Sequence, residues 1–499
     1  MGSSFQLSAG RHGSLFGIFA KKPGVLRSSK DLLGLKRKPK EFSRPKAGSS
    51  PPPPKSTMHH TGILALFTVL ALAAPTPAQQ SDDPAIANWR RNLDGTTGTS
   101  EIPNINNVVS QIEADVQGIH FTTDSAYVEA TGLPSHTVGP WNDGNPGMPG
   151  DQDAVYRIPR NPAVENGTKT DTPLGPIGVL INGVVIFNAK DAMSWNNRGI
   201  WWRNAIWFEG QGMDTGLGHP AQDQYHYHQH PTLLQQQVGD NGIDHSPILG
   251  FAFDGFPIYG PYGYANADGS GGVVRIQSSW QTRNITVRHT LPDGTVLSQN
   301  QWGPDVSATY PLGAFIEDYE FVSASGDLDE HNGRQCVTPE YPGGTYAYFA
   351  TVDAAGESAY PYLIGPTYYG VVDTGNIGPG GGNVSIPPTA DEYAPFAIYG
   401  HDFEVGSTAV VAFGDADPAA TVWLGYSLAG LGPTPSPWGD LGLSDPMDSF
   451  GPVAANGAGQ GSFSYLIPAS LSGSTVYTQA LMQSGTNFTL SNAARALVP

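Results

Sequence analysis

Five of the 13 histidines lie between positions 219 and 245: His219, His226, His228, His230 and His245. The densest stretch is Tyr225-His226-Tyr227-His228-Gln229-His230. On an extended backbone alternate side chains point to opposite faces, so the three imidazoles of this run share one face and Tyr225 and Tyr227 the other. Residues two apart on a strand are roughly 6.5–7 Å apart at Cα, near enough for two imidazoles to converge on one ion. Imidazole nitrogen suits zinc, copper, iron or nickel, and three such nitrogens with an open position make a site capable of catalysis. His226 and His228 are the first expected ligands and His219 or His245 the next, while His230, followed by Pro231, is already leaving the strand. The expected cofactor is one transition-metal ion, copper or zinc. Tyr225, Tyr227 and Asp254 are expected around the ligands, Asp254 as an acceptor that fixes an imidazole tautomer. An Asp before Gly255 also reads as a plain turn residue. The competing reading makes each imidazole a packed strand residue bonded to its own carbonyl or carboxylate.

Other chemistry is sparse. Glu209, Asp214 and Glu330 could act as general bases, but acids are so abundant that no pair stands out. Residues 240–244, Asp-Asn-Gly-Ile-Asp, open like a calcium loop yet lack its later carboxylates, so a turn is expected. No Gly-x-Ser-x-Gly elbow, phosphate-cradling Gly-Lys-Ser/Thr loop or His-Glu-x-x-His helix occurs, which argues against serine-hydrolase, nucleotide and zincin chemistry. Cys336 is the single cysteine. It can close no intrachain disulfide, and it reads as an ordinary half-buried thiol.

The elements that must position these residues are strands. Residues 179–181 and 184–187 flank Asn182-Gly183, a strong hairpin signal because both turn residues accept positive φ. A second hairpin is expected around Pro292-Asp293-Gly294, between residues 285–290 and 295–297. Residues 248–253 form an apolar run bounded by turn residues, as a buried strand would. Residues 201–209 read as a short helix, with Trp202, Ile206 and Glu209 at helical spacing. With 63 Gly and 43 Pro among 499 residues, a helical bundle is disfavoured. The expected fold class is mainly β: a large β-rich domain over residues 79–374, a Gly/Pro-rich linker over 375–394, and a smaller β-sandwich over 395–499.

Charge divides the chain differently. Residues 1–57 carry 12 Lys/Arg against Asp31 and Glu41, whereas the whole chain has a net charge of -19. The basic stretch, ending in Pro51–Pro54, reads as a disordered or mis-annotated upstream tail. Met58 then opens a segment over 58–78 with the look of a signal peptide: an apolar core from Ile63 to Ala74 followed by Thr76-Pro77-Ala78. Translation is expected to start at Met58, and the mature chain to be acidic, without a retained membrane anchor, and secreted or held at the cell surface or in the periplasm. The acidic balance argues against nucleic acid as a partner.

Several motifs in order carry a family resemblance: "GVLINGVVIFNAKDA", Gly218-His219, "DQYHYHQHP", "DHSPILGFAFDGFPIYGPYG", "LDEHNGRQCVTPEYPGGTYAYFATV" and "YPYLIGPTYYG". Together they resemble the YHYH-domain family of secreted proteins over most of the first domain. The resemblance picks out His219, Tyr225 to His228, the turn from Asp254 to Gly260, Asp329-Glu330 and Asn332-Gly333, and implies no particular reaction. His331 departs from the pattern, since relatives more often carry cysteine there. Tyr346-Ala347-Tyr348-Phe349 repeats the tyrosine spacing without the histidines; as a structural echo it would make the tyrosines architectural and the histidines functional. The last hundred residues resemble a C-terminal β-module of bacterial secreted proteins, which implies an accessory, anchoring or sorting role.

Three functions follow from these residues. The first is a secreted metal-binding protein, using the ion to activate water or dioxygen. The second is an extracellular binding protein for a carbohydrate or protein ligand, with structural histidines. The third is a metal-free enzyme with His226 or His228 as base and Asp254 or Glu330 as partner, which ranks last because no activated nucleophile is visible.

Overall fold

Asn182 and Gly183 close a hairpin between β1 (Pro176–Leu180) and β2 (Val185–Phe187), with Gly183 at φ 77°. This is the first corner of a sheet that organises a computed structural model describing residues 83–102, 105–143, 147–377 and 381–499. The basic tail and the expected signal segment lie outside the described residues. A second hairpin joins β3 (Gly218–Ala221) to β4 (Gln224–Tyr227). A third joins β5 (Ile248–Ala252) to β6 (Pro257–Tyr259) through Asp254-Gly255, and a fourth joins β7 (Gly333–Cys336) to β8 (Thr345–Phe349). The eight strands form one sheet in the order β3-β4-β2-β1-β5-β6-β8-β7.

That order is palindromic in connectivity, and the register repeats residue for residue. In the first half Gly178 pairs with Ile186, Ile186 with Tyr227 in parallel, and Tyr227 with Gly218. In the second, Gly250 pairs with Ile258, Ile258 with Tyr348 in parallel, and Tyr348 with Gly333. The two halves meet along the antiparallel pair β1 and β5, so the sheet has an internal pseudo-twofold. The turns match too: the Val184 amide donates to Asn182 Oδ1, and the Phe256 amide donates to Asp254 Oδ1, each at 3.3 Å.

Side chains of the central strands are buried on both faces, including Val179, Leu180, Phe251 and Tyr259. A second sheet, built from Val116–Phe121, Ser125–Ala130, Ala154–Pro159 and the short strand Asp391–Glu392, shares the same core. Its Tyr156 ring stacks on Phe253 at 5.9 Å.

Two expectations change on folding. The helix covers only Ala205–Glu209, because Trp202–Asn204 pairs as a strand with Lys190–Ser194 and Asn204 caps the helix by accepting from the Ile206 amide. The hairpin at Pro292-Asp293-Gly294 reduces to a single bridge between Thr290 and Val296. The stretch before it is held by Arg288, fully buried, which donates to both Asp318 oxygens at 2.7 Å and to the carbonyls of Pro304, Tyr310 and Pro311. Arg288 thus anchors the stretch before the turn to residues 304–318 instead of to a facing strand.

The C-terminal strands form a three-stranded sheet (Ala397–His401, Thr408–Gly414, Gly461–Leu466) and a four-stranded sheet (Met447–Ala454, Thr421–Ser427, Thr475–Ser484, Asn487–Leu497). Phe413 and Phe463 of one meet Val422, Leu424 and Met482 of the other in a common core. The protein is therefore mainly β. Among the described residues no helix is long and apolar enough to cross a membrane.

Ionic contacts tie this sandwich to the preceding chain. Arg90 bonds Asp115 and the Gly400 carbonyl, and the Tyr399 hydroxyl donates to Asp115 at 2.9 Å. His401 sits between Asp94 and Asp402 at 3.0 and 2.8 Å. Burial alone would lower its pKa, but the bonds to Asp402 and Asp94 lift it to about 9. An unfolded imidazole titrates at about 6.5. The contribution is thus complete below that value and is lost as pH rises through the folded value. His401→Gln should destabilise the chain by about 1 kcal/mol near pH 6, with the difference from wild type shrinking by about pH 10. Thermal unfolding across that range reads this out, and a pH-independent difference would disprove it.

Candidate metal centre

His219 and His226 are directly opposed in the β3–β4 pair, and His228 follows His226 by two, so all three rings gather on one face. Their ligand nitrogens all lie within 4.8 Å of one another, and all three residues are buried. Phe187 supplies an apolar wall, stacked on His226 at 4.0 Å and edge-on to His228 at 5.9 Å.

The hydrogen bonds fix the tautomers. His226 Nδ1 lies 3.2 Å from the Gln224 carbonyl and His228 Nδ1 2.6 Å from the Asn188 carbonyl. A carbonyl oxygen can only accept, so each Nδ1 carries the proton and each Nε2 presents a lone pair. Those two Nε2 atoms face each other at 3.1 Å. His219 Nε2 is buried without a hydrogen-bond partner.

Two opposed lone pairs repel unless a cation lies between them. A proton is disfavoured. Burial pulls His228 down to about 3, and burial with repulsion from His228 and His219 pulls His226 well below its ordinary value. Burial also takes His219 to about 4. At neutral pH all three imidazoles are uncharged, the state in which they bind metals. For metal–nitrogen bonds of about 2.0–2.1 Å at tetrahedral angles, ligand nitrogens sit roughly 3.3 Å apart, close to the spacing of His226 and His228.

One carboxyl group approaches the imidazoles. Glu209 Oε2 lies 3.5 Å from His228 Nε2 and 3.8 Å from His219 Nε2. Burial, then repulsion from Asp191 and Asp143, pushes Glu209 up to about 8.

The remaining expected residues lie elsewhere. His230, past the end of β4, turns its Nδ1 to Ser358 Oγ at 2.7 Å. His245 bonds the Ser246 carbonyl at 2.8 Å and packs on Tyr259, Tyr264 and Phe349 in the second half of the sheet. Neither belongs to the converging group, because the chain turns out of the strand before His230 and His245 belongs to the opposite half. Asp254 is buried and accepts from the Tyr348 hydroxyl at 2.6 Å and the Gly370 amide at 2.8 Å. Main-chain carbonyls orient the imidazoles. Tyr225 and Tyr227 face the opposite side, where their hydroxyls donate to Asp214 and to His136 Nε2, each at 2.8 Å. Asp240 bonds Ser246 and Gln235 as a turn residue, and Cys336 is a buried thiol whose pKa burial raises. Residue types alone could not reveal the carbonyls of Gln224 and Asn188. Glu209 was visible only as one acid among many.

The pseudo-twofold supplies an internal control. Tyr346 and Tyr348 stand where Tyr225 and Tyr227 do, and the Tyr346 hydroxyl donates to Asp329 as that of Tyr225 does to Asp214. Gly218 and Gly333 each lie under a tyrosine hydroxyl, where a Cβ would approach to 2.3 or 2.4 Å. Leu217 and Asn332, just before them, share φ values of 67° and 66°. At the positions of His219, His226 and His228 the second half carries Arg334, Ala347 and Phe349. The same hairpin thus forms without a single imidazole.

The family model described as "YHYH protein" matches residues 155–359, a span that includes all eight strands of the central sheet. No curated protein and no solved structure matches the chain.

Proposed function

We propose that the YHYH domain of this chain is a metal-binding domain in an exported protein, and that Nε2 of His219, His226 and His228 holds one transition-metal ion, copper or zinc. The observation that carries this reading is the pair of Nε2 lone pairs facing each other at 3.1 Å while both Nδ1 protons are committed to carbonyls. The second half adds support: its hairpin does without histidines, so packing alone gives no reason for three of them in the first. Zinc there would supply Lewis acidity, and copper one-electron chemistry. The chain's own part is to hold three neutral donors in one orientation, to pack Phe187 against two of them, and to keep the Glu209 carboxyl close by. The apolar run from Ile63 to Ala74 and the small residues after it support export.

Metal analysis of the mature chain, secreted into medium without chelator, should find one ion per chain. Adding that ion to apoprotein should raise the unfolding temperature, since a ligand at a thousand times its Kd stabilises by about 4 kcal/mol. Absence of stoichiometric zinc, copper, iron, nickel or cobalt from wild type under these conditions would end the reading. Glycan binding that survives loss of His226 and His228 would favour a binding protein instead.

A further inference from the structure

We propose that Glu209 is a fourth protein ligand, making a centre of three imidazoles and one carboxylate, and that Asp191 and Arg203 position it. This rests on the metal-binding reading above. The same Glu209 oxygen approaches two different Nε2 atoms, at 3.5 and 3.8 Å. Neither distance is a hydrogen bond. His228 has no proton to offer there, because its Nδ1–H is given to Asn188. Glu209 and the two imidazoles therefore face one another across a gap that no hydrogen bond spans. His219 Nε2, buried and without a hydrogen-bond partner, points to the same gap.

Glu209 does not reach this place by chance of a flexible surface. It is the last residue of the helix Ala205–Glu209, whose cap residue Asn204 also donates to the Gly313 carbonyl at 2.9 Å and to the Tyr362 hydroxyl at 2.7 Å. Its side chain is 30 % exposed, so water is within reach, yet the carboxylate turns inward. Asp191, whose side chain is 9 % exposed, lies close enough to Glu209 to raise its pKa and pairs with Arg203 Nη1 at 3.6 Å. Arg203 in turn lies over the Phe208 ring at 4.8 Å. The chain Arg203, Asp191, Glu209 thus orients one oxygen toward the imidazoles. Metal–oxygen bonds of about 2.0–2.2 Å would bring that oxygen to roughly 3.3 Å from the nitrogens, a closure of only about half an ångström. A carboxylate added to three neutral imidazoles favours a divalent ion over copper(I), a soft monovalent ion.

Cobalt(II) titration of the full mature chain tests this, because its visible absorption reports the ligand set. Glu209→Gln keeps the shape, and should weaken cobalt binding by about 10–100-fold and shift the absorption bands while the stoichiometry stays at one. Glu209→Ala should do the same, and Asp191→Asn should weaken binding by a smaller factor with bands close to wild type. Both Glu209 variants matching wild type in affinity and spectrum would overturn the assignment of Glu209 and leave the three-histidine site standing. Failure of wild type itself to bind would remove both. Thermal unfolding of the metal-free Glu209→Gln chain, expected to match wild type, separates loss of a ligand from loss of fold.

Discussion

His226→Ala combined with His228→Ala should abolish stoichiometric metal binding while leaving the chain folded. Zinc binding worth about 10–16 kcal/mol over four ligands amounts to roughly 3 kcal/mol each, so removing two should cost about four orders of magnitude in affinity. The fold should tolerate the change because Ala347 already occupies the position of His226 in the second half, and Phe349 that of His228. In the apoprotein the substitution removes a repulsion, that of two Nε2 lone pairs at 3.1 Å, and also the stacking of His226 on Phe187. These terms oppose each other, and the net change should be within about 2 kcal/mol. Metal content and far-ultraviolet circular dichroism on the same preparation check both halves of the claim. Retention of the ion, or collapse of the metal-free fold, would show that the imidazoles are packing residues.

That tolerance explains how much could be read from the sequence. Tyr225 and Tyr227 alternate with His226 and His228, and strand periodicity alone assigns them to opposite faces, as their partners Asp214 and His136 bear out. Asn182-Gly183 closes its hairpin because a tight turn chemistry is local. The tyrosine spacing at Tyr346 and Tyr348 is a structural echo of the first motif, although little besides two tyrosines, a glycine and an aspartate is common to the two copies. What stayed hidden is non-local. The acceptor for His228 is a carbonyl 40 residues away, and every residue carries a carbonyl, so no residue type could flag it. His245 joins the cluster in sequence but packs against Phe349, since the pseudo-twofold separates β5 from β4 by two intervening strands. The strand Leu431–Ser436 contains Pro433 and Pro435, which argue against a strand until it is seen in a two-stranded ribbon with free edges.

The pseudo-symmetry also sets the largest stability effect, which falls on Asp214 rather than on any histidine. Its carboxylate accepts from the Gly139 amide at 2.8 Å, the Gly216 and Gly218 amides at 2.9 and 3.1 Å, and the Tyr225 hydroxyl at 2.8 Å, all out of solvent. Asp214→Ala leaves these donors buried without an acceptor, at about 1–3 kcal/mol each, so a loss of about 4 kcal/mol or more is expected after partial relaxation. Asp329, its counterpart, holds the His331 and Gly333 amides and the Tyr346 hydroxyl but is half-buried, so water can replace part of its role. Asp329→Ala should cost about half as much. The two should differ more sharply in metal binding. Asp214 fixes the turn that delivers His219 to its place opposite His226, so its loss should weaken cobalt binding, whereas loss of Asp329 should not. Urea unfolding and cobalt titration of the pair measure both effects. Equal metal affinities in the two variants would mean that the turn before β3 does not position His219, and that the histidine face is assembled from β4 alone.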